Sequence, residues 1–227
     1  MPPLRLAFKR RVKGAYSQPA FFNNLESPMN EKLYLLKIQL LDIEPAIWRR
    51  FVVPAGITLD RLHDVIQLVM GWTDSHLFEF TINNKRYTEA PESKQDGLIC
   101  GKYRLGNLIK QKGHSFHYCY DFGDNWEHEI VLEDNNYSNP DLSLGLTCLE
   151  GERACPPEDV GGLPGYEELC NALKDPKHKE HQNYLEWAGA DYNTEEFDAE
   201  LVSWELMRYF RWSRDRHQTW EGSEVKL

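Results

Sequence analysis

The sequence predicts an α+β fold with a mainly antiparallel sheet, an early helix at about residues 58–70 and a C-terminal group of three helices. Two observations lead to this class. Segments with the two-residue alternation of strands fall within residues 33–134, whereas the helical period of about 3.6 residues dominates after residue 163. Strands and helices are therefore partly segregated along the chain, as in α+β proteins.

The first third of the chain is predicted to form two strands followed by a helix. Residues 33–41 and 46–53 are rich in aliphatic side chains, and residues 58–70 have a helical apolar period. The apolar side chains of that helix fall on one face: Leu59, Leu62, Ile66 and Val69. His63, Asp64 and Gln67 are therefore expected to face away from the core.

The clearest strand signal is a hairpin over residues 114–134, with Gly123 in its turn. The side chains expected on its core face are Phe116, Tyr118, Tyr120, Phe122, Trp126, His128, Ile130 and Leu132. An earlier strand at residues 76–82 turns through two asparagines into residues 85–88. These four strands favour an antiparallel sheet with one core face and one polar face.

Three helices are expected after a long irregular connection over residues 135–163. Apolar positions from Tyr166 to Leu173 mark the first, and Asp175-Pro176 opens the second. The third is expected to begin at Thr194, where two glutamates suit the positive end of the helix dipole. Its predicted buried stripe is Phe197, Leu201, Trp204 and Met207.

Length and composition indicate one globular domain. The chain has 227 residues, of which 41% are hydrophobic and 27% are charged, enough for one sizeable core. No apolar run approaches ~18 residues, so no membrane-spanning helix and no membrane partner are predicted. We expect a flexible basic tail over residues 1–30, a single domain over 31–210 and a polar tail over 211–227. Met29 is an alternative start.

The chain is acidic, and its charged residues are unevenly distributed. The net charge is −10, and residues 150–205 hold fifteen acids against four bases. This balance disfavours nucleic-acid binding, except through residues 1–30, whose net charge is +4. An organelle presequence is an alternative reading of that tail, and no signal peptide is expected. Five cysteines without a Cys-x-x-Cys pair favour reduced thiols and a cytoplasmic location.

The motifs of the commonest enzyme classes are missing from the sequence. It contains no phosphate-binding P-loop, no dinucleotide fingerprint, no nucleophile elbow and no His-Glu-x-x-His zinc motif. No catalytic residue is therefore predicted, and whether the protein is an enzyme stays open.

The turn of the predicted hairpin is the first candidate site. Asp121 and Asp124 flank the turn glycine, and His128 follows on the return strand. Two carboxylates and an imidazole at this spacing can bind a divalent cation or position a water for acid–base chemistry. The alternative is a structural turn in which both aspartates accept hydrogen bonds from local backbone N–H groups.

Two cysteines and two acids form the second candidate. Cys148 and Cys155 precede Glu158 and Asp159 in the predicted irregular connection. Thiolates and carboxylates are ligands of zinc-like ions, so this segment resembles half of a metal site. The alternative is a stiff loop of prolines and glycines whose acids cap a helix or pair with Arg153.

A histidine pair is the third candidate. His178 and His181 are three residues apart, which places both rings on one face of the second late helix. That arrangement suits a metal such as zinc, and the alternative is two histidines at the edge of the core.

Arg49 is the fourth candidate. It neighbours Arg50 in a predicted strand, so the two side chains should point to opposite faces. Arg49 is a candidate for anion binding, and the alternative is an ion-pair partner on an acidic surface.

Several blocks of the sequence together form a recognisable pattern: residues 45–50, 59–67, 70–80, 120–128 and 148–162, followed by Gly165-Tyr166, Asp175-Pro176, His178, His181 and Phe197-Asp198. These blocks resemble the plasmid pRiA4b ORF-3-like family. The resemblance implies a compact α+β domain found on plasmids, chromosomes and mobile elements, with no established activity. Some relatives are labelled insertion-element passengers of resolvase type, a label that the negative charge of this domain does not support.

Three functions remain open from the sequence. The first is a binding or accessory module that recognises a protein or a small ligand through the acidic C-terminal half. The second is a metal-binding protein or a metal-dependent hydrolase that uses a divalent, zinc-like ion held by a subset of the candidate residues. The third is a nucleic-acid contact through the basic N-terminal tail.

Overall fold

A computed structural model describes residues 32–93, 95–138, 145–189 and 191–216, with side chains up to Tyr209. The predicted N-terminal tail lies outside these residues. The strands are β1 (Leu33–Leu40), β2 (Trp48–Pro54), β3 (Phe78–Ile82), β4 (Lys85–Thr88), β5 (Leu98–Ile99), β6 (Ser115–Tyr120), β7 (Trp126–Tyr137) and β8 (Thr147–Glu152). The helices are α1 (Leu59–Met70), α2 (Leu105–Leu108), α3 (Gly162–Lys174), α4 (His181–Ala188) and α5 (Ala199–Arg216).

All eight strands form one sheet in the order β5-β4-β3-β6-β7-β1-β2-β8. Neighbouring strands pair antiparallel, except β4 and β5, which are parallel. The predicted α+β class, with its early helix and C-terminal helices, is confirmed. Strand β1 pairs with β2 on one side and with β7 on the other, so the N-terminal and middle parts of the chain share one sheet.

Helix α1 packs its apolar stripe on the sheet as predicted. It ends at Gly71, whose φ of +96° is a left-handed conformation that glycine adopts without strain, and the Gly71 N–H donates to the Gln67 carbonyl. The prediction that His63 and Gln67 face away from the core is wrong, because both side chains are buried. They contact the hydroxyl of Tyr118 on β6, so this side of α1 also meets the sheet.

The predicted irregular connection contains more regular structure than expected. Strand β7 continues to Tyr137, and β8 adds an edge strand that pairs with β2. The prediction of one irregular segment over residues 135–163 is therefore wrong for β8 and the end of β7. In the hairpin, the core face is as predicted up to Tyr120, whereas Phe122 lies in the turn and is 52% exposed.

The last two helices begin later than predicted, and α5 presents a different face. Helix α4 begins at His181, and α5 begins at Ala199 with Asp198 Oδ1 accepting the Leu201 N–H. The predicted stripe is wrong for Leu201 and Trp204, which are 56% and 58% exposed. Leu206 is buried instead, and Ser203 Oγ donates to the carbonyl of Cys148 on β8.

Within the described part of the chain, none of the helices combines the length and the apolar character needed to cross a membrane.

Candidate functional site

Three loops converge at the end of the sheet where β6 stops. One follows α1 and carries His76, one is the turn after β6 and carries Asp121, and one links β8 to α3 and carries Glu158 and Asp159. The His76 Nε2 atom lies 3.2 Å from Asp159 Oδ1, 3.6 Å from Asp121 Oδ2 and 3.7 Å from Glu158 Oε2. One imidazole nitrogen therefore faces three carboxylates.

The His76 ring nitrogen is the distinctive atom of this cluster. Its Nε2 is buried and has no hydrogen-bond partner among the described residues. A ligand atom about 2.0–2.2 Å from a tetrahedral ion lies about 3.3–3.6 Å from the next ligand atom. The three spacings around His76 Nε2, at 3.2–3.7 Å, lie close to that edge length. His76, Asp121 and Asp159 have ligand atoms within 4.8 Å of one another and could hold a metal ion, with Glu158 beside them.

Glu158 is held in place by the loop of His76 and by the sheet. Its Oε1 accepts hydrogen bonds from the Thr73 N–H at 2.8 Å and from the Tyr120 hydroxyl at 3.0 Å. Burial, followed by the negative charge of Glu158, raises the pKa of Tyr120, so this hydroxyl stays a donor. The other oxygen, Oε2, is the one turned to His76.

The turn after β6 fixes Asp121 through the backbone. Asp121 has a left-handed φ of +55°, and its Oδ1 accepts the Gly123 N–H at 2.9 Å. Oδ2 is thereby left to face His76. Asp124 has another role, because its Oδ2 accepts the Gly161 N–H and joins this turn to the loop of Glu158. The structure thus brings Asp121, Glu158 and Asp159 together, with Asp124 as a brace beside them.

A polar network behind the site positions the loop of His76. His63 lies between two oxygens, with Nδ1 2.8 Å from the Tyr118 hydroxyl and Nε2 2.8 Å from Asp74 Oδ1. Gln67 Oε1 accepts the Asp74 N–H. His63, Asp64 and Asp74 also have clustered ligand atoms, but both His63 nitrogens are already at hydrogen-bond distance. This second cluster holds the loop of His76 in position, as outer-shell residues do around a metal site.

Arg49 lies inside the protein, away from the loop cluster. Arg49 is 1% exposed, and its guanidinium donates to backbone carbonyls, among them those of Val69 at 2.9 Å and Arg153 at 2.7 Å. Its Cζ lies 3.8 Å from the centre of the Phe197 ring. The hydrogen-bond partners of Arg49 are therefore backbone carbonyls. Arg50 lies on the opposite face of the strand, as predicted, and pairs with Glu133.

The two cysteines lie beside Arg49. Burial raises the pKa of Cys148 to about 11 and raises that of Cys155 further, so both thiols stay protonated near neutral pH. Neither belongs to the ligand clusters of the described residues.

The histidine pair lies beside helix α3. His181 Nδ1 lies 2.7 Å from the Ala172 carbonyl, and His178 Nε2 lies 3.7 Å from Glu168. The two rings thus face different partners, and neither belongs to a ligand cluster of the described residues.

His128 is the remaining predicted site residue, and it lies in the core. It is fully buried, with Nδ1 3.1 Å from the Tyr118 carbonyl. Burial lowers its pKa to about 4, so the folded protein holds this ring neutral at pH 7.

The buried, neutral ring of His128 is expected to make the free energy of unfolding depend on pH. Above pH 6.5 His128 is neutral in both states, but between pH 6.5 and 4 only the unfolded chain takes up the proton. The free energy of unfolding should therefore fall by about 3 kcal/mol over that interval. Urea unfolding at pH 7, 5.5 and 4 measures it. His128→Asn keeps a donor for the Tyr118 carbonyl and should remove this part of the slope, whereas an unchanged slope would contradict the assignment.

Comparisons with known proteins agree with this fold. The sequence model of the family described as "Plasmid pRiA4b ORF-3-like protein" matches residues 32–201. A curated relative, "Uncharacterized protein y4hQ" of Sinorhizobium fredii (strain NBRC 101917 / NGR234), is 45% identical over 163 residues, which are 70% of this chain and 82% of that protein.

A solved structure is also similar. The crystal structure of the protein of unknown function MM3350 from Methanosarcina mazei Go1 has a TM-score of 0.69 and 37% sequence identity, covering 76% of this chain and 98% of that one. The family match, the curated relative and the shared fold agree with the resemblance found in the sequence. The chain belongs to the plasmid pRiA4b ORF-3-like family.

Proposed function

We propose that this protein binds one divalent transition-metal ion through His76, Asp121, Glu158 and Asp159. The observation that supports it is the His76 Nε2 atom, which is buried without a hydrogen bond and faces three carboxylate oxygens at 3.2–3.7 Å. A carboxylate that accepts a charge-assisted hydrogen bond would approach the ring nitrogen to about 2.7–2.9 Å. Spacings that are longer and similar leave room for an ion between the ligands.

The ligand types narrow the choice of metal. Imidazole suits zinc, iron and other transition metals, whereas carboxylates suit harder ions such as manganese. One nitrogen with three oxygens therefore favours Zn²⁺, Fe²⁺ or Mn²⁺. The predicted cysteine and histidine ligands are not needed for this set.

The exposure of the ligands indicates hydrolysis as the reaction to test. Asp121 and Glu158 are largely covered, with side chains 10% and 17% exposed, whereas Asp159 is 75% exposed. An ion here would be open to solvent on one side, as in catalytic metal sites. A bound divalent ion supplies acidified water, and the residues of this chain would hold the ion and orient the ring of His76.

The experiment is metal analysis of protein expressed in metal-supplemented medium, followed by calorimetric titration of the metal-free protein with Zn²⁺ and Mn²⁺. We expect about one ion per chain in the wild type. His76→Ala and Asp121→Asn should each weaken binding by at least about 100-fold, since loss of outer-shell residues alone costs 10–100-fold.

His178→Ala is the matched control, because it removes a partly exposed histidine that also faces a carboxylate. This variant should bind metal like the wild type. A wild-type protein without metal, or His76→Ala with unchanged affinity, would reject the proposal. If the wild type does bind metal, the loaded protein is screened against phosphoester and peptide substrates, with His76→Ala as the inactive reference.

The binding-module function stays a prediction beside this one. It is favoured by Leu201 and Trp204, which are exposed on α5 in the acidic half of the chain. Failure of metal binding would make it the leading candidate.

A further inference from the structure

A basic pocket lies near the end of the sheet where β1 begins. Its cavity measures about 350 Å³ and lies between Lys32 and Tyr34 of β1, the turn after β2, and the segment from Arg104 to Lys110. A cavity of this size suits a small molecule. We propose that this pocket binds the phosphoryl group of a small phosphorylated compound.

The charge of the pocket contrasts with that of the protein. Three cationic side chains line it, those of Lys32, Arg104 and Lys110, and no carboxylate of the described residues does. The chain as a whole has a net charge of −10. Within the described ranges, none of the three cations forms an ion pair. Three like charges around one cavity repel each other, and an anion between them removes that repulsion.

The walls of the pocket are fixed by hydrogen bonds. The Ala55 N–H donates to the Lys32 carbonyl at 2.7 Å, and the Gly106 N–H donates to the Ala55 carbonyl at 2.7 Å. Arg104 donates through Nη1 to the Gly56 carbonyl, which holds its guanidinium at the rim. A side chain at Gly106 would collide with Ala55, since an ideal Cβ there lies 2.8 Å from the Ala55 oxygen. The backbone walls of the pocket are therefore in place before any ligand binds.

The donors match a phosphoryl group better than a carboxylate. A phosphate monoester carries a charge of about −1.5 to −2 and three acceptor oxygens, which is one oxygen for each cation. Arg104 uses one of its five N–H donors on Gly56, so others remain for a bidentate contact. The ammonium of Lys32 lies 5.6 Å from the centre of the Tyr34 ring, at the side of the cavity.

A nucleic-acid polymer fits the surroundings less well. An extended polyanion would meet the acidic remainder of the surface, whereas a compact phosphate ester reaches only the pocket. The proposal is independent of the metal site, because none of the lining residues belongs to that cluster.

The test is calorimetric titration of the metal-free full chain with inorganic pyrophosphate, with acetate as the carboxylate comparison. We expect pyrophosphate to bind and acetate not to compete. The double variant Lys32→Ala/Lys110→Ala should weaken pyrophosphate binding by at least about tenfold, as expected for the loss of two charge-assisted contacts. Both lysines are exposed, and thermal melting of the variant checks that it folds.

Lys85→Ala is the matched control, since Lys85 is an exposed lysine on β4 outside the pocket. It should bind pyrophosphate like the wild type. Two results would overturn the proposal: no pyrophosphate binding up to millimolar concentrations, or equal affinity in the folded double variant. A single-stranded oligonucleotide that binds more tightly than pyrophosphate and is lost in the double variant would replace the small ligand with a nucleic acid.

Discussion

Replacing Arg49 by methionine is expected to lower the free energy of unfolding by about 3–5 kcal/mol. The side chain is fully buried and donates hydrogen bonds to backbone carbonyls of three segments. The carbonyls that accept from it are those of Trp48, Val69, Glu152 and Arg153, at 2.7–2.9 Å. Methionine preserves much of the volume but leaves these oxygens without their donor, and each unsatisfied buried group costs about 1–3 kcal/mol. The loss is partly offset, because the variant no longer has to remove a charged guanidinium from water. The same desolvation lowers the pKa of Arg49 in the wild type.

Arg50→Met is the control for that substitution. Arg50 is the next residue on β2, and its side chain lies on the outer sheet face, 27% exposed, between Glu133 and Glu150. Surface ion pairs contribute about 0–1 kcal/mol, so this variant should unfold close to the wild type. Urea denaturation of the three proteins gives the comparison. Equal losses for the two arginines would mean that Arg49 does not tie β2 to α1 and β8.

Gly165→Ala is expected to destabilise the protein by about 3 kcal/mol and to weaken metal binding by at least about tenfold. Helix propensity alone predicts the opposite sign, since alanine in a helix is favoured over glycine by about 1 kcal/mol. An ideal Cβ on Gly165, however, lies 1.9 Å from the Val160 carbonyl oxygen. The obstacle is backbone, so the loop that carries Glu158 and Asp159 must move.

A second glycine separates this steric effect from backbone strain. Gly113 has a φ of +84°, and no atom of the described residues lies within 4 Å of an ideal Cβ there. Gly113→Ala should therefore cost only about 1–2 kcal/mol, from the left-handed conformation, and should leave metal affinity unchanged. The measurements are urea unfolding and the zinc titration. A stabilised Gly165→Ala variant with wild-type metal affinity would contradict the predicted collision.

The elements that the sequence predicts best are those set by local patterns. Helix α1 has a full apolar stripe and a glycine stop, and the β6–β7 hairpin alternates up to Tyr120, so both could be located without tertiary information. The segment of β8 is extended because it pairs with β2. Its own sequence has a weak strand pattern, since it contains Gly151. The face of α5 was misassigned because Ser203, a polar residue, is the one seated on β8.

The candidate site was only half predictable for the same reason. Asp121, Glu158 and Asp159 are acids in turn-rich segments, and such residues attract attention in any sequence. His76 stands before a strand with no spacing motif to its partners, which follow 45, 82 and 83 residues later. Only the sheet order, which brings three distant loops to the end of β6, makes this histidine a candidate ligand.

The same sheet order dictates when the protein can fold during its synthesis. The nascent hairpin of β1 and β2 is complete at Pro54, but β7, which covers its open edge, begins only at Trp126. At about 5–20 residues per second, a ribosome takes about 4–14 s to make the residues between them. Throughout that delay the nascent chain displays an unpaired strand edge, the form most prone to wrong association. The loop with Glu158 and Asp159 is made later still, so the proposed metal site is assembled only after the sheet has closed.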